Sequence, residues 1–170
     1  RKVLSYPAVR KLVCEGFKSL ICSNFSEVDV IAGVATGAIA HGALVADAMN
    51  LPFVYVRSAP KGHGLENLIE GHLKPGSRVV VVEDLISTGL SSLKAVEALQ
   101  QAGANVLGMV AIFTYGFDVA KQSFEKHGIP VYTLANYNQL IEHAVEVGLV
   151  TKSEQEVLKS WRDNPEKWGR

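Results

Sequence analysis

Two adjacent carboxylates, Glu83 and Asp84, end a run of four valines, and a hydroxyl-rich turn with Ser87, Thr88, Gly89 and Ser91 follows them. Ionised carboxylates only accept hydrogen bonds, so the pair suits vicinal hydroxyls and repels phosphate. The turn has the opposite preference. It stands where a strand gives way to a helix, and the first N–H groups of a helix are unpaired and sit at its positive end. Gly89 lets backbone approach a ligand closely, while Ser87, Thr88 and Ser91 add hydroxyl donors. A ligand with a phosphate at one end and a diol beside it satisfies both halves, and a 5-phosphoribosyl group is such a ligand. The same residues could also form a capped helix behind an exposed acidic pair.

Two further stretches carry matching chemistry. Gly33 to Gly37 is a second turn of small residues after a β-rich run, and the amides of Ala35, Thr36 and Gly37 could hold a second anion such as pyrophosphate. It is equally readable as a plain turn. Arg57, Lys61 and His63 fall among Pro60, Gly62 and Gly64 and supply the cations that the other two stretches lack. Arg57 stands at a strand end, a rigid base from which a guanidinium can grip phosphate oxygens. Lys61 and His63 belong to a segment able to close over a ligand and exclude water. There is neither a Walker phosphate-loop motif nor a dinucleotide-binding glycine motif. His41, His72, His127 and His143 read as surface or satisfied histidines.

These stretches can cooperate only if the fold brings them to one place. Apolar spacing predicts helices over residues 7–22, 38–49, 90–101, 119–127, 138–147 and 153–162, and strands over 28–32, 53–56, 79–82, 106–113 and 131–134. Ser153 and Glu156 are the expected capping box of the last helix. Residues 57–76, rich in glycine and without a strong period, read as a long functional loop with a hairpin at its base. Alternating strands and helices imply an α/β fold, a mostly parallel sheet covered by helices on both faces. Ligands of such sheets bind beyond the carboxyl ends of the strands. That rule selects the loops after residues 32, 56 and 82.

A chain of 170 residues with 48% hydrophobic residues is expected to form one domain, residues 1–170. Its 17 basic and 17 acidic residues balance, which argues against disorder and against a nucleic-acid groove driven by bulk charge. No apolar stretch approaches the roughly 20 residues that span a bilayer, so no membrane partner is expected. Cys14 and Cys22 are too few for a disulfide framework and read as reduced thiols of a cytoplasmic protein. The chain begins without methionine, so an upstream segment is expected to precede Arg1.

The stretch VVVVEDLISTGLSS resembles the phosphoribosyl pyrophosphate signature of type I phosphoribosyltransferases. RSAPKGHG is similar to the catalytic loop of the orotate phosphoribosyltransferase family, and LSYP, VIAGVATGAIAHGALVAD, VVAIFTYG and ANYNQLIE resemble its bacterial branch. The resemblance implies the type I fold with a mobile catalytic loop. It also implies transfer of the 5-phosphoribosyl group to orotate, giving orotidine 5′-phosphate and pyrophosphate in pyrimidine biosynthesis. Mg2+ would enter with phosphoribosyl pyrophosphate, held through water by Glu83 and Asp84. By position, Glu83 and Asp84 would hold the ribose hydroxyls. The phosphoribosyl site would extend through Leu85, Ile86, Ser87, Thr88, Gly89, Leu90 and Ser91, with Ser87 also near orotate. Ala35, Thr36 and Gly37 would form a pyrophosphate loop. Arg57, Lys61 and His63 would bind the pyrophosphate end, with Lys61, His63 and Asp84 the catalytic candidates. A homodimer sharing the 57–64 loop across its interface is implied as well. Ser58 and Gly37 stand where some members carry lysine, and the implied upstream segment helps to form the base pocket. The alternatives are a purine or uracil phosphoribosyltransferase, or a non-catalytic sensor of phosphoribosyl pyrophosphate.

Overall fold

Four valines in succession need cover on both faces, and the fold supplies it. The computed structural model describes residues 2–59 and 68–165. After a 3-10 turn at Lys2–Ser5 the elements run α1 (Pro7–Asn24), β1 (Val30–Val34), α2 (Ile39–Met49), β2 (Phe53–Val56) and β3 (Ile69–Glu70). Then come β4 (Arg78–Ile86), α3 (Leu90–Gln101), β5 (Asn105–Thr114), α4 (Asp118–Lys126), β6 (Val131–Asn136), α5 (Tyr137–Glu146) and α6 (Lys152–Asp163). The strands form a 6-stranded sheet in the order β3-β2-β1-β4-β5-β6. All neighbours are parallel except β3, which pairs antiparallel with β2 at the sheet edge. That pair is the hairpin base expected for the long loop.

Side chains of β4 alternate between two cores. Val79 and Val81 pack with Leu93, Val96 and Leu99 of α3 and Phe124 of α4. Val80 and Val82 pack with Val13, Phe17 and Ile21 of α1 and Val45 of α2. All four valines are 0% exposed, each worth roughly 1.5–3 kcal/mol of burial. A strand sandwiched in this way reads as a continuous apolar run because neither face meets water.

The structure moves several expected boundaries. β4 does not stop at Val82 but continues through Glu83 and Asp84 to Ile86, because β5 runs alongside and pairs Glu83 with Ala111 and Ile86 with Thr114. β1 starts at Val30 and runs on to Val34. The capping box of α6 is Thr151 with Glu154, not Ser153 with Glu156. Thr151 is the last extended residue, so its hydroxyl accepts the Glu154 N–H while Glu154 accepts the Thr151 N–H at 2.8 Å. Ser153 already lies inside the first turn. Asn136 and Gln139 form a second capping box, on α5.

The Asp29–Arg78 contact pins the two central strands at their amino ends. Asp29 accepts from the backbone N–H and the Nε–H of Arg78, each at 2.9 Å, and from Nη2 at 2.9 Å. Glu27 also engages the same guanidinium. The hydrogen bonds from Arg78 hold the Asp29 carboxyl well below the usual aspartate range. A depressed carboxyl contributes stability above its unfolded pKa and loses it as pH falls through the folded value. Asp29→Asn should therefore lower the melting temperature at neutral pH. In melts across an acid series, the gap to wild type should close as pH drops below about 4.

Candidate active site

The strand order reverses once at the centre of the sheet. From β1 the chain moves outward to β2 and β3, then returns to the other side of β1 as β4. The crevice beyond the carboxyl ends of β1 and β4 is thus the topological switch point, the usual ligand position in a sheet of this kind. Val34 and Ile86 are the last residues of these strands, so the turns at 35–38 and 87–89 face each other across it.

Asp84 and the first turn are in intimate contact. A Cβ built on Gly37 would lie 1.8 Å from Asp84 Oδ2. A side chain at position 37 would displace the Asp84 carboxylate from where it now lies. His41 of α2 is buried on the same side; burial pulls its pKa below the usual histidine value, against the opposing influence of Asp84. His72, His127 and His143 lie at the surface, as expected.

Glu83 behaves differently from its neighbour. The expectation that both carboxylates face the ligand is not met, because Glu83 is 4% exposed and both of its oxygens are engaged. Oε1 accepts the Asp84 N–H at 2.9 Å and Oε2 accepts the Ser92 hydroxyl at 2.9 Å. The physical reason is the strand itself. β4 is still paired at residue 83, so successive side chains point to opposite faces. Glu83 turns toward α3 and Asp84 toward the 35–37 turn. Burial raises the Glu83 pKa to about 8, with the adjacent Asp84 carboxyl pushing the same way and the Ser92 hydroxyl opposing.

The hydroxyl turn leads into α3 as expected. Gly89 is the N-cap, with φ of 80°, a conformation that glycine adopts without strain. Ser87 is half-buried, whereas Thr88, Leu90 and Ser91 are exposed. Ile86, expected within the site, is instead part of the core at 2% exposure, and its carbonyl accepts the Tyr115 N–H. Leu85 is 43% exposed.

The three predicted loops do meet. A hollow of about 520 Å³ is lined by Ala35 from the first turn, Arg57 and Ser58 from the second, and Ser91 at the start of α3. Thr36 is exposed beside Ala35. Arg57 Nη1 donates to Glu70 Oε1 at 3.3 Å across the β2–β3 pair, which steadies the guanidinium on the hairpin. Lys61 and His63 lie outside the described residues. Sequence reasoning missed two members of this hollow's surroundings. Lys94 lines it one helical turn beyond Ser91, a signal present in the spacing. Glu70 needed the strand pairing to be recognised as the partner of Arg57. Among the described residues no group of three or more His, Cys, Asp or Glu side chains forms a metal cage.

A second hollow, about 610 Å³, opens on the other flank of the phosphate turn. Ser87 and Thr88 form one wall, and Tyr115, Phe117, Trp161 and Arg162 line the others. Tyr115 and Phe117 stack at 5.4 Å, and Trp161 lies edge-on to both. Sequence reasoning gave this part of α6 as a helix and assigned it no part in the site. Flat aromatic walls beside a phosphate turn suit a planar ring attached to the same sugar.

Residues 4–148 match the phosphoribosyl transferase domain family. The chain is 57% identical over 169 residues to the orotate phosphoribosyltransferase of Porphyromonas gingivalis, covering 99% of this chain and 80% of that relative. Its fold resembles orotate phosphoribosyltransferase from Aeropyrum pernix, with a TM-score of 0.78 and 27% identity over 88% of this chain and 82% of that one. It also resembles adenine phosphoribosyltransferase from Saccharomyces cerevisiae, with a TM-score of 0.65 and 29% identity over 78% of this chain and 82% of that one.

The raised pKa of Glu83 gives a test of this geometry. With an unfolded value near 4.5 and a folded value of about 8, the native state binds the extra proton, so stability falls as pH rises between the two. Glu83→Gln does not titrate. Its melting temperature relative to wild type should climb from about pH 4.5 to about pH 8 and level off above that. A difference independent of pH would mean that Glu83 is not held as a buried acid.

Proposed function

The chain belongs to the phosphoribosyl transferase family, and on that premise we propose that it transfers the 5-phosphoribosyl group from phosphoribosyl pyrophosphate to orotate. The products are orotidine 5′-phosphate and pyrophosphate, a step of pyrimidine biosynthesis. The observation that carries this reading is the convergence of Ala35, Arg57 and Ser91 on one hollow at the switch point, with Asp84 against Gly37 of the same turn as Ala35. The level of identity to an orotate enzyme selects the base.

In this reading the 5′-phosphate lies against the start of α3. The N-terminal amides and the hydroxyls of Ser87, Thr88 and Ser91 donate to it. Asp84 accepts from the ribose hydroxyls. Glu83 does not touch the ligand; through Ser92 it holds the first turn of α3 against β4 and so positions the phosphate cradle. The amides of Ala35, Thr36 and Gly37, with Arg57, receive the pyrophosphate. The base occupies the aromatic hollow with Ser87 on its wall.

The bond from the anomeric carbon to pyrophosphate breaks as the bond to the orotate ring nitrogen forms. Positive charge develops on the sugar ring and negative charge on the leaving group. Donors fixed before the reaction stabilise such charge without reorganising, and Arg57, held by Glu70, is one. Lys61 and His63 are proposed to serve the same leaving group. No covalent nucleophile is needed.

Mg2+ fits the chemistry of one carboxylate plus substrate phosphates, which is how this ion is commonly held. Asp84 is the proposed contact, through water, whereas Glu83 is unsuited because both of its oxygens are already used. When bound, the ion would supply charge neutralisation to the pyrophosphate. A homodimer sharing the 57–64 segment and a cytoplasmic location complete the proposal. No described helix is long and apolar enough to cross a membrane.

The direct test is consumption of orotate by the full-length protein with phosphoribosyl pyrophosphate and Mg2+, beside hypoxanthine and uracil. Orotate should be preferred, and preference for either competitor overturns the assignment. Lys61→Ala should lower kcat by roughly 100-fold or more while leaving the melting temperature unchanged. Near-normal turnover would remove Lys61 from the mechanism.

A further inference from the structure

The aromatic hollow contains one guanidinium, and its surroundings leave part of it available. Arg162, near the end of α6, donates through Nε to the Tyr115 carbonyl at 3.2 Å and through Nη2 to the Gly116 carbonyl at 2.7 Å. These contacts use the side edge of the fork and fix the plane of the group against the end of β5. At the far edge, Nη1 donates to Asp163 at 3.2 Å. Of the five N–H donors of a guanidinium, two have no partner among the described residues, one on each terminal nitrogen. Asp163 is a weak competitor for that edge, since its side chain is 71% exposed and adjacent in sequence.

Orotate is a flat ring that carries a carboxylate. Of its two recognition elements, the ring suits the faces of Tyr115, Phe117 and Trp161, and the carboxylate suits the outward edge of Arg162. We propose that Arg162 is a specificity-determining residue that binds the carboxylate of the base, displacing Asp163 as orotate enters. The inference rests on the assignment of the aromatic hollow to the base. It explains how a phosphoribosyl site shared with adenine enzymes is adapted, in this chain, to an anionic pyrimidine. α6 delivers the cation, and the two β5-loop carbonyls aim it.

The test separates charge recognition from structural support. Uracil has the same ring without the carboxylate, so it reports the shape of the hollow alone. In the full-length protein, Arg162→Met keeps the apolar stem and removes the donors. It should raise KM for orotate about 10- to 100-fold, the range expected for a hydrogen-bonded charge, with KM for phosphoribosyl pyrophosphate and the inhibition constant of uracil unchanged. Equal losses for orotate and uracil would show a merely structural clamp and overturn the proposal, as would an unchanged KM for orotate. Asp163→Asn removes the competing charge at an exposed position and should lower KM for orotate by roughly two- to fivefold. No decrease in that variant would also overturn the proposal. Wild-type protein that does not consume orotate would instead refute the assignment of function.

Discussion

A carboxyl group sealed inside the fold, Glu83, ties the end of the central strand to the first turn of α3 through the Ser92 hydroxyl. The layout of the site follows from that tie. α3 must start close to β4 for its unpaired amides to face the crevice, and a buried acid hydrogen-bonded to Ser92 sets that distance. Once the tie is made, alternation along β4 turns the next residue, Asp84, to the opposite face. One pair of adjacent acids thereby does two unrelated jobs, anchoring the first turn of α3 and meeting the turn after β1.

The opposite wall is built by omission. Gly37 carries no side chain, and the turn after β1 closes until it meets Asp84. Cationic groups approach from the third side, where Arg57 is steadied by Glu70 on the antiparallel edge strand. Two parallel strands, one antiparallel hairpin and one helix terminus thus meet at a single place. That place is the switch point, where neighbouring loops turn away from each other and leave a gap.

The sheet and its phosphate turn do not by themselves choose a base, since the fold is shared with an adenine enzyme. Beside the sheet stand the loop after β5 and the helix that packs on it, where Arg162 donates to the Tyr115 and Gly116 carbonyls. Trp161 and Tyr137 approach to 5.3 Å, and Tyr137 donates from its hydroxyl to the Leu158 carbonyl, so α5 and α6 are fastened together beside the hollow. A wall made this way can change its lining without disturbing the crevice at the switch point, because no residue of it belongs to β1 or β4.

Local chemistry was legible in the sequence wherever a residue's role depends on its immediate neighbours. The valine run meant a strand covered on both faces, Gly89 marked the turn that opens a helix, and strand–helix alternation meant a parallel sheet with its loops gathered at one edge. Roles that depend on distant partners were not legible. Glu83 and Asp84 looked equivalent because they are adjacent. Only pairing with β5, which carries β4 past Val82, sends them to opposite faces and buries one of them. Glu70 is nondescript until β3 folds beside β2, and Arg162 is an ordinary helix arginine until α6 lies across the end of β5. Composition and spacing thus determined what chemistry the chain could perform. Strand pairing and helix docking decided which of the eligible side chains perform it, because those contacts join residues tens of positions apart in the chain.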